Sequence, residues 1–226
     1  MRISRFVFAP LMLLSIVASA REPAGPVWRD TALERTQVLA LLQTLNANLL
    51  SQSSATQTLQ QWCDVHHLAQ EAKIVAHRVT GADKPLSADD RALLGIGPDE
   101  AVRYRHVRLA CGDLVLSDAD NWYVPSRLTP EMNYQLDHSD VPFGTVVKPL
   151  NFRRQTLSAG LLWSPLPKGW ETDAKVPPPS GKPMAVAPYV LQHRAVLFGQ
   201  DQQPFSLVVE TYTADVLAFG PRAAGK

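Results

Sequence analysis

The stretch from Arg103 to Pro125 constrains the fold more than any other part of the chain. Residues 102–111 alternate like a strand, Gly112 and Asp113 are a turn signal, and residues 114–124, rich in Leu, Val, Trp and Tyr, read as a returning strand. Successive side chains of a strand point to opposite faces. Arg105, Val107, Leu109 and Cys111 therefore share one face, and His106 and Arg108 share the other. An arginine in line with Val, Leu and Cys is out of place in a core, because a guanidinium is costly to take from water unless an anion meets it. Arg105 thus sits at the strand end, in solvent, or against a buried anion.

The segments before this hairpin read as helices and one short strand. Thr31–Leu50 carries Val38, Leu41, Leu42, Leu45 and Leu49 at helical spacing. Ser51–Ser54 breaks that pattern, and Ser53 or Ser54 can cap a second helix that starts near Ala55 and runs through Leu59, Trp62 and Cys63. Ile74–Val79 is a short strand. Residues 80–100 hold Gly81, Pro85, Gly95, Gly97 and Pro98 and read as loop, with one helical turn from Ser87.

After the hairpin, Thr129–Leu136 reads as a helix with Pro130 at its first position, Ser139–Gly144 as a turn, and Asn151–Leu162 as a strand. Ser164–Pro188 carries prolines at 165, 167, 177, 178, 179, 183 and 188. Such a density forbids helices and ladders and leaves a lid, a binding loop or a disordered segment. Val190–Phe198 and Phe205–Tyr212 are the last strands, and Glu210 is a second charge on an otherwise apolar strand face. Strands outnumber helices in the second half and the joining turns are short. The expected fold class is α+β: a single domain with an antiparallel β-sheet and helices packed on one side.

The N-terminus reads as an export signal over residues 1–20: Arg2 and Arg5, an apolar run of about a dozen residues to Val17, and a small-residue cleavage site at Ala18–Ala20. The run is short for a membrane span. Cleavage there would place the mature domain, residues 21–226, in the periplasm or outside the cell, with no membrane association after cleavage; the alternative is an uncleaved anchor helix. Cys63 and Cys111 can pair as a disulfide in such a compartment, or remain two buried apolar thiols. The 22 basic and 21 acidic residues nearly cancel, so no nucleic-acid partner is expected. No phosphate loop, repeat or metal-spaced Cys/His set is visible. His66 and His67 are adjacent and do not face one another on a helix, so neither cofactor nor metal is expected.

Four short motifs, taken in order and spacing, resemble the chorismate lyases and, more loosely, the same-fold sensor domains of bacterial transcription regulators. They are Leu50–Thr56 followed by Leu59; Arg103–Leu109 with Cys111–Asp113 and Val124–Pro125; Asp140–Gly144; and Arg194–Gly199 with Pro204, Val209 and Glu210. The resemblance runs from about Leu49 to Tyr212. It implies that Arg105 binds the ring carboxylate of 4-hydroxybenzoate, that the backbone N–H groups at Ala55 and Phe143 help hold that carboxylate, and that Glu210 stands near the far end of the ring. An alternative for Glu210 is a structural pairing with some Arg or Lys.

The implied activity is cofactor-free elimination of pyruvate from chorismate or a similar acid, leaving a hydroxybenzoate, with Arg105 and Glu210 catalytic. The partner would be a small aromatic or cyclohexadiene carboxylate, and the protein a monomer. The alternative is a non-catalytic periplasmic binder of small aromatic carboxylic acids. A third reading, a domain with no ligand, would pair Arg105 to a protein carboxylate. The chain departs from the family pattern in three places. It carries an export signal, Asn121 stands where some members have a second arginine, and the proline-rich insertion at 164–188 is longer than the family's connection.

Overall fold

A computed structural model describes residues 27–81 and 83–221. The segment read as an export signal lies outside the described residues. Among the described residues no helix is long and apolar enough to cross a membrane.

Six strands, β1 (Ile74–Val79), β2 (Arg103–Cys111), β3 (Leu114–Tyr123), β4 (Arg153–Leu161), β5 (Tyr189–Phe198) and β6 (Pro204–Thr213), form one sheet in the order β1-β2-β3-β6-β5-β4. Every neighbouring pair is antiparallel. Gly112, at φ +56°, turns β2 into β3, a backbone conformation that costs glycine little. The registers put one row of side chains on a common inner face: Arg105 lies opposite Asn121, Asn121 opposite Val208, and Val208 opposite Ala195.

Helices α1 (Ala32–Ser51) and α2 (Ala55–Val65) pack on that face, together with α4 (Pro130–His138) and the single turn α5 (Phe143–Val146). The α+β class expected from the sequence is therefore the one observed. One short helix departs from it: α3 (Ala88–Leu93) and the residues after it bring Leu94 and Ile96 against Trp122, Val196 and Leu207 on the outer face. Phe143 and Gly144, read from sequence as part of a turn, instead open α5.

Apolar spacing explains how α1 sits. Val38, Leu42 and Leu45 are fully buried, each stabilising the fold by roughly 1.5–3 kcal/mol, while the opposite side of the helix is exposed. The position of α2 is fixed more tightly. Leu59 and Cys63 are buried, the Trp62 indole donates to the Val216 carbonyl at 2.9 Å, and Gln60 accepts from the Ile74 amide at 2.9 Å. These contacts hold the N-terminus of α2 over the sheet.

The proline-rich segment 164–188 forms no helix or ladder strand, but it is tied down. Its 180–184 part runs beside residues 28–30, with a bridge between Arg29 and Pro183, and Arg35 donates to the Pro177 carbonyl at 2.7 Å. Asp30 completes the clamp through Arg35 and Ser180. The segment is a strap across the start of α1.

Cys63 of α2 and Cys111 at the end of β2 are joined, with Cα atoms 6.2 Å apart and a sequence separation of 48. Closing a loop of that length removes unfolded-chain entropy equivalent to about 4 kcal/mol. The protein, denatured without reductant, should show no free thiol to a thiol reagent. The Cys63→Ala/Cys111→Ala variant should unfold at markedly lower denaturant concentration. Two titratable thiols in the parent would contradict the bond.

Candidate functional site

The site lies where the starts of α2 and α5 meet the inner face of the sheet. A cavity of about 50 Å³ is floored by Val107, Leu109, Ala119, Asn121, Val208 and Glu210 and roofed by Ser53–Thr56 and Phe143–Gly144. Phe152, Leu197 and Arg154 close its β4 side.

The roof is built by two local features. Ser54 caps α2, its hydroxyl accepting from the Gln57 amide at 3.4 Å, while the amides of Ala55 and Thr56 have no partner within the helix. Gly144 lets α5 come close: a Cβ there would stand 3.1 Å from the Ser54 hydroxyl and 3.5 Å from that of Thr56. Ala55 and Phe143, expected to offer amides to a carboxylate, thus line the same cavity from different helices.

Arg105 is buried at 4% exposure. Its Nη2 donates to the Ser139 and Val141 carbonyls at 3.3 and 3.1 Å. Its Nε and Nη1 are buried with no hydrogen-bond partner, and it belongs to none of the ion pairs among the described residues. Burial, and then the charge of Arg78, push the guanidinium below its ordinary pKa, while Tyr123, Asp140 and Asp137 pull the other way. Arg105 does not itself line the cavity. It stands beside it, next to Asn121 and Val107 and bonded to the loop that leads into Phe143.

Glu210 does line the cavity, and it already has partners. Arg154 Nη2 donates to its carboxylate at 2.5 Å, and the Tyr212 hydroxyl donates at 3.4 Å. Burial works against the Arg154 charge, but Glu210 outweighs it and holds the guanidinium above its ordinary pKa. Tyr212 is pushed well up by burial and then by Glu210, so it remains a phenol. The structural pairing that the sequence left open for Glu210 is thus present, and the pair sits in the cavity wall. Arg154 was not singled out in the sequence. It stands at the start of an edge strand beside Arg153, and the β4 pattern alone does not show that it reaches Glu210. Asn121, noted in the sequence as a departure from some members of the resembled family, is buried, and its side-chain oxygen accepts from the Ser206 hydroxyl at 2.6 Å. No residue of the 164–188 strap lines the cavity.

His193 lies opposite Glu210 on the neighbouring strand, fully buried, with its Nε2 2.8 Å from the Asn46 side-chain oxygen. Among the described residues no group of His, Cys, Asp and Glu could hold a metal ion.

Fold and site together define an α+β domain with one small, largely apolar cavity between sheet and helix starts, polar at two ends. No family model matches the chain. The chain belongs to the same family as the uncharacterized protein y4mC of Sinorhizobium fredii (strain NBRC 101917 / NGR234), with 56% identity over 193 residues, 85% of this chain and 81% of that protein. Among solved structures, the effector domain of PhnF from Mycobacterium smegmatis is similar at TM-score 0.48 and 14% identity, covering 77% of this chain and 94% of that one. The possible transcriptional regulator YydK from Bacillus subtilis subsp. subtilis str. 168 is similar at TM-score 0.38 and 14% identity, over 68% of this chain. This chain spans 62% of YydK and 64% of the longer PhnF structure. Likenesses this weak carry no argument about function.

Burial, the largest effect, depresses the His193 pKa to about 4; Glu210 opposes this and Arg154 adds to it. The folded protein therefore binds fewer protons at His193 than the unfolded chain does between pH 4 and the ordinary value of 6.5. The resulting stability is complete above pH 6.5 and is lost as pH falls toward 4, by up to about 3 kcal/mol. Denaturant unfolding from pH 7.5 to 4 should show this slope in the parent and a flatter one in His193→Gln. Parallel profiles would contradict it.

Proposed function

We propose that the protein binds a small aromatic carboxylic acid in this cavity, with the carboxylate on Arg105 and the first-turn amides at Ala55 and Phe143, and the far end of the ring toward Glu210. The observation that carries this reading is the buried Arg105, with two donor nitrogens unpartnered and no protein carboxylate on it. A buried guanidinium without a counter-ion is costly, and a ligand carboxylate supplies the missing partner through charge-assisted hydrogen bonds. The spacing suits a ring. Arg105 and Glu210 are two strands and two residues apart on the sheet, about 12 Å between Cα atoms, and both side chains are long.

The cavity is tight. An apolar cavity that takes benzene measures about 150 Å³, so a ring enters only as the wall yields. Binding is favoured over lyase chemistry, because the Glu210 carboxylate is held by Arg154 and Tyr212 rather than free to take a proton. Residues 1–20 are read as an export signal, so binding takes place in the periplasm or outside the cell. Protein recovered from the periplasm should begin at Arg21 on N-terminal sequencing; an intact Met1 would contradict export.

Calorimetry of the mature protein with 4-hydroxybenzoate should show binding that weakens about ten- to a hundred-fold in Arg105→Ala, with the variant still folded by circular dichroism. Absence of heat with every hydroxybenzoate in the parent would remove this reading. Formation of 4-hydroxybenzoate absorbance from chorismate would restore the lyase.

A further inference from the structure

Arg154 has no counterpart in the roles that the sequence suggested, yet it decides the charge of the cavity. Its side chain and that of Glu210 are 6% and 12% exposed and form one ion pair. The Arg154 Nε is buried without a partner, so this guanidinium also keeps a donor in reserve. Asp120 contributes to the cavity lining, but its carboxylate is held by Lys84 at 2.6 Å and by Tyr104, and Trp122 beside it packs on the outer face. His193, across from Glu210, makes its hydrogen bond to Asn46. The ionised groups left facing the cavity are therefore Arg154 and Glu210 in its wall, with Arg105 beside it, where Arg78 and the carboxylates of Asp140 and Asp137 act on Arg105 with opposite signs. The two in the wall cancel, and the positive charge of Arg105 is left.

Resting on the reading of the cavity as an aromatic-acid site, we infer that the Arg154–Glu210 pair makes it selective for monoanions and rejects para-dicarboxylates. A monocarboxylate on Arg105 brings the buried charge to zero, and its far end needs only a neutral hydroxyl or hydrogen to meet Glu210. A second carboxylate at that end would stand against Glu210, whose cation is already engaged. Two carboxylates sharing a buried site repel, so the second either takes up a proton or stays in water. Chorismate is a dianion, and the same count disfavours it.

The test is a charge series read by calorimetry at pH 8, with 4-hydroxybenzoate, terephthalate and the uncharged 4-hydroxybenzamide as probes. The parent should bind 4-hydroxybenzoate and take terephthalate at least about ten-fold more weakly. Glu210→Gln frees Arg154 while keeping the side chain's size. Its terephthalate affinity should rise about ten- to a hundred-fold. Arg154→Gln removes the cation and leaves Glu210 facing the ligand, so the ratio of 4-hydroxybenzoate to 4-hydroxybenzamide affinity should fall about ten-fold or more. A purely structural role for the pair would weaken acid and amide alike and leave that ratio where it was.

Terephthalate affinity that does not rise in Glu210→Gln overturns the inference. If that variant does not fold, the ratio in Arg154→Gln decides, and an unchanged ratio overturns it. A parent that binds the monocarboxylate while either variant fails its arm leaves the ligand site standing and removes the charge selection alone. A parent that binds neither acid removes both.

Discussion

The arrangement turns on one unpaired charge. Arg105 is carried on the second strand of the sheet, in register with apolar side chains, and that register cannot be changed without exposing Val107 and Leu109. The strand therefore drags a guanidinium into the interior. Two backbone carbonyls, of Ser139 and Val141, satisfy one nitrogen, and the other two are left. A buried, half-satisfied cation is a cost that the fold must offset elsewhere. It does so with three hydrophobic clusters on the two faces of the sheet, and with a disulfide from the helix that roofs the cavity to the end of the arginine's own strand.

The second arginine shows the opposite solution. Arg154 is also buried, but it finds Glu210 two strands away, and Tyr212 adds a hydroxyl to the same carboxylate. Two guanidiniums therefore flank one cavity, one paired and one not. The paired end is close to neutral, while at the other Arg105 Nε and Nη1 are without hydrogen-bond partners. That asymmetry gives the cavity a direction, with an unpaired cation beside one end and a neutral ion pair at the other. The roof follows the same logic, because Ser54 spends its hydroxyl on its own helix cap and leaves the amides of Ala55 and Thr56 without partners inside the helix.

Much of this was legible in the sequence because the signals were local. Helical spacing placed α1, serine capping placed the start of α2, and alternation with a Gly112 turn placed the central hairpin. Arg105 and Glu210 stood out as single charges in apolar rows. What was not legible depends on distance in the chain. Arg154 meets Glu210 across 56 residues, and no local pattern in Asn151–Leu162 marks it. The proline-rich segment was readable as lacking helices and ladders, yet its docking on Arg35 and Asp30 requires partners about 140 to 150 residues away. The short helix α3 was visible as a helical turn after Ser87. That it covers the outer face of the sheet was not, since this depends on Leu94 and Ile96 reaching Trp122.

Ligand binding at this site would act first on the two unpartnered nitrogens of Arg105. One of them, Nε, carries a single hydrogen whose nuclear resonance can be followed in ¹⁵N-labelled protein and assigned by its loss in Arg105→Lys. Titration with 4-hydroxybenzoate is predicted to move the Arg105 Nε–H resonance in step with the binding isotherm, while those of Arg35 and Arg127, engaged with the strap and with backbone carbonyls, stay in place. An Arg105 resonance that does not move at saturating acid would contradict the central claim, since the cation would then have no ligand to wait for.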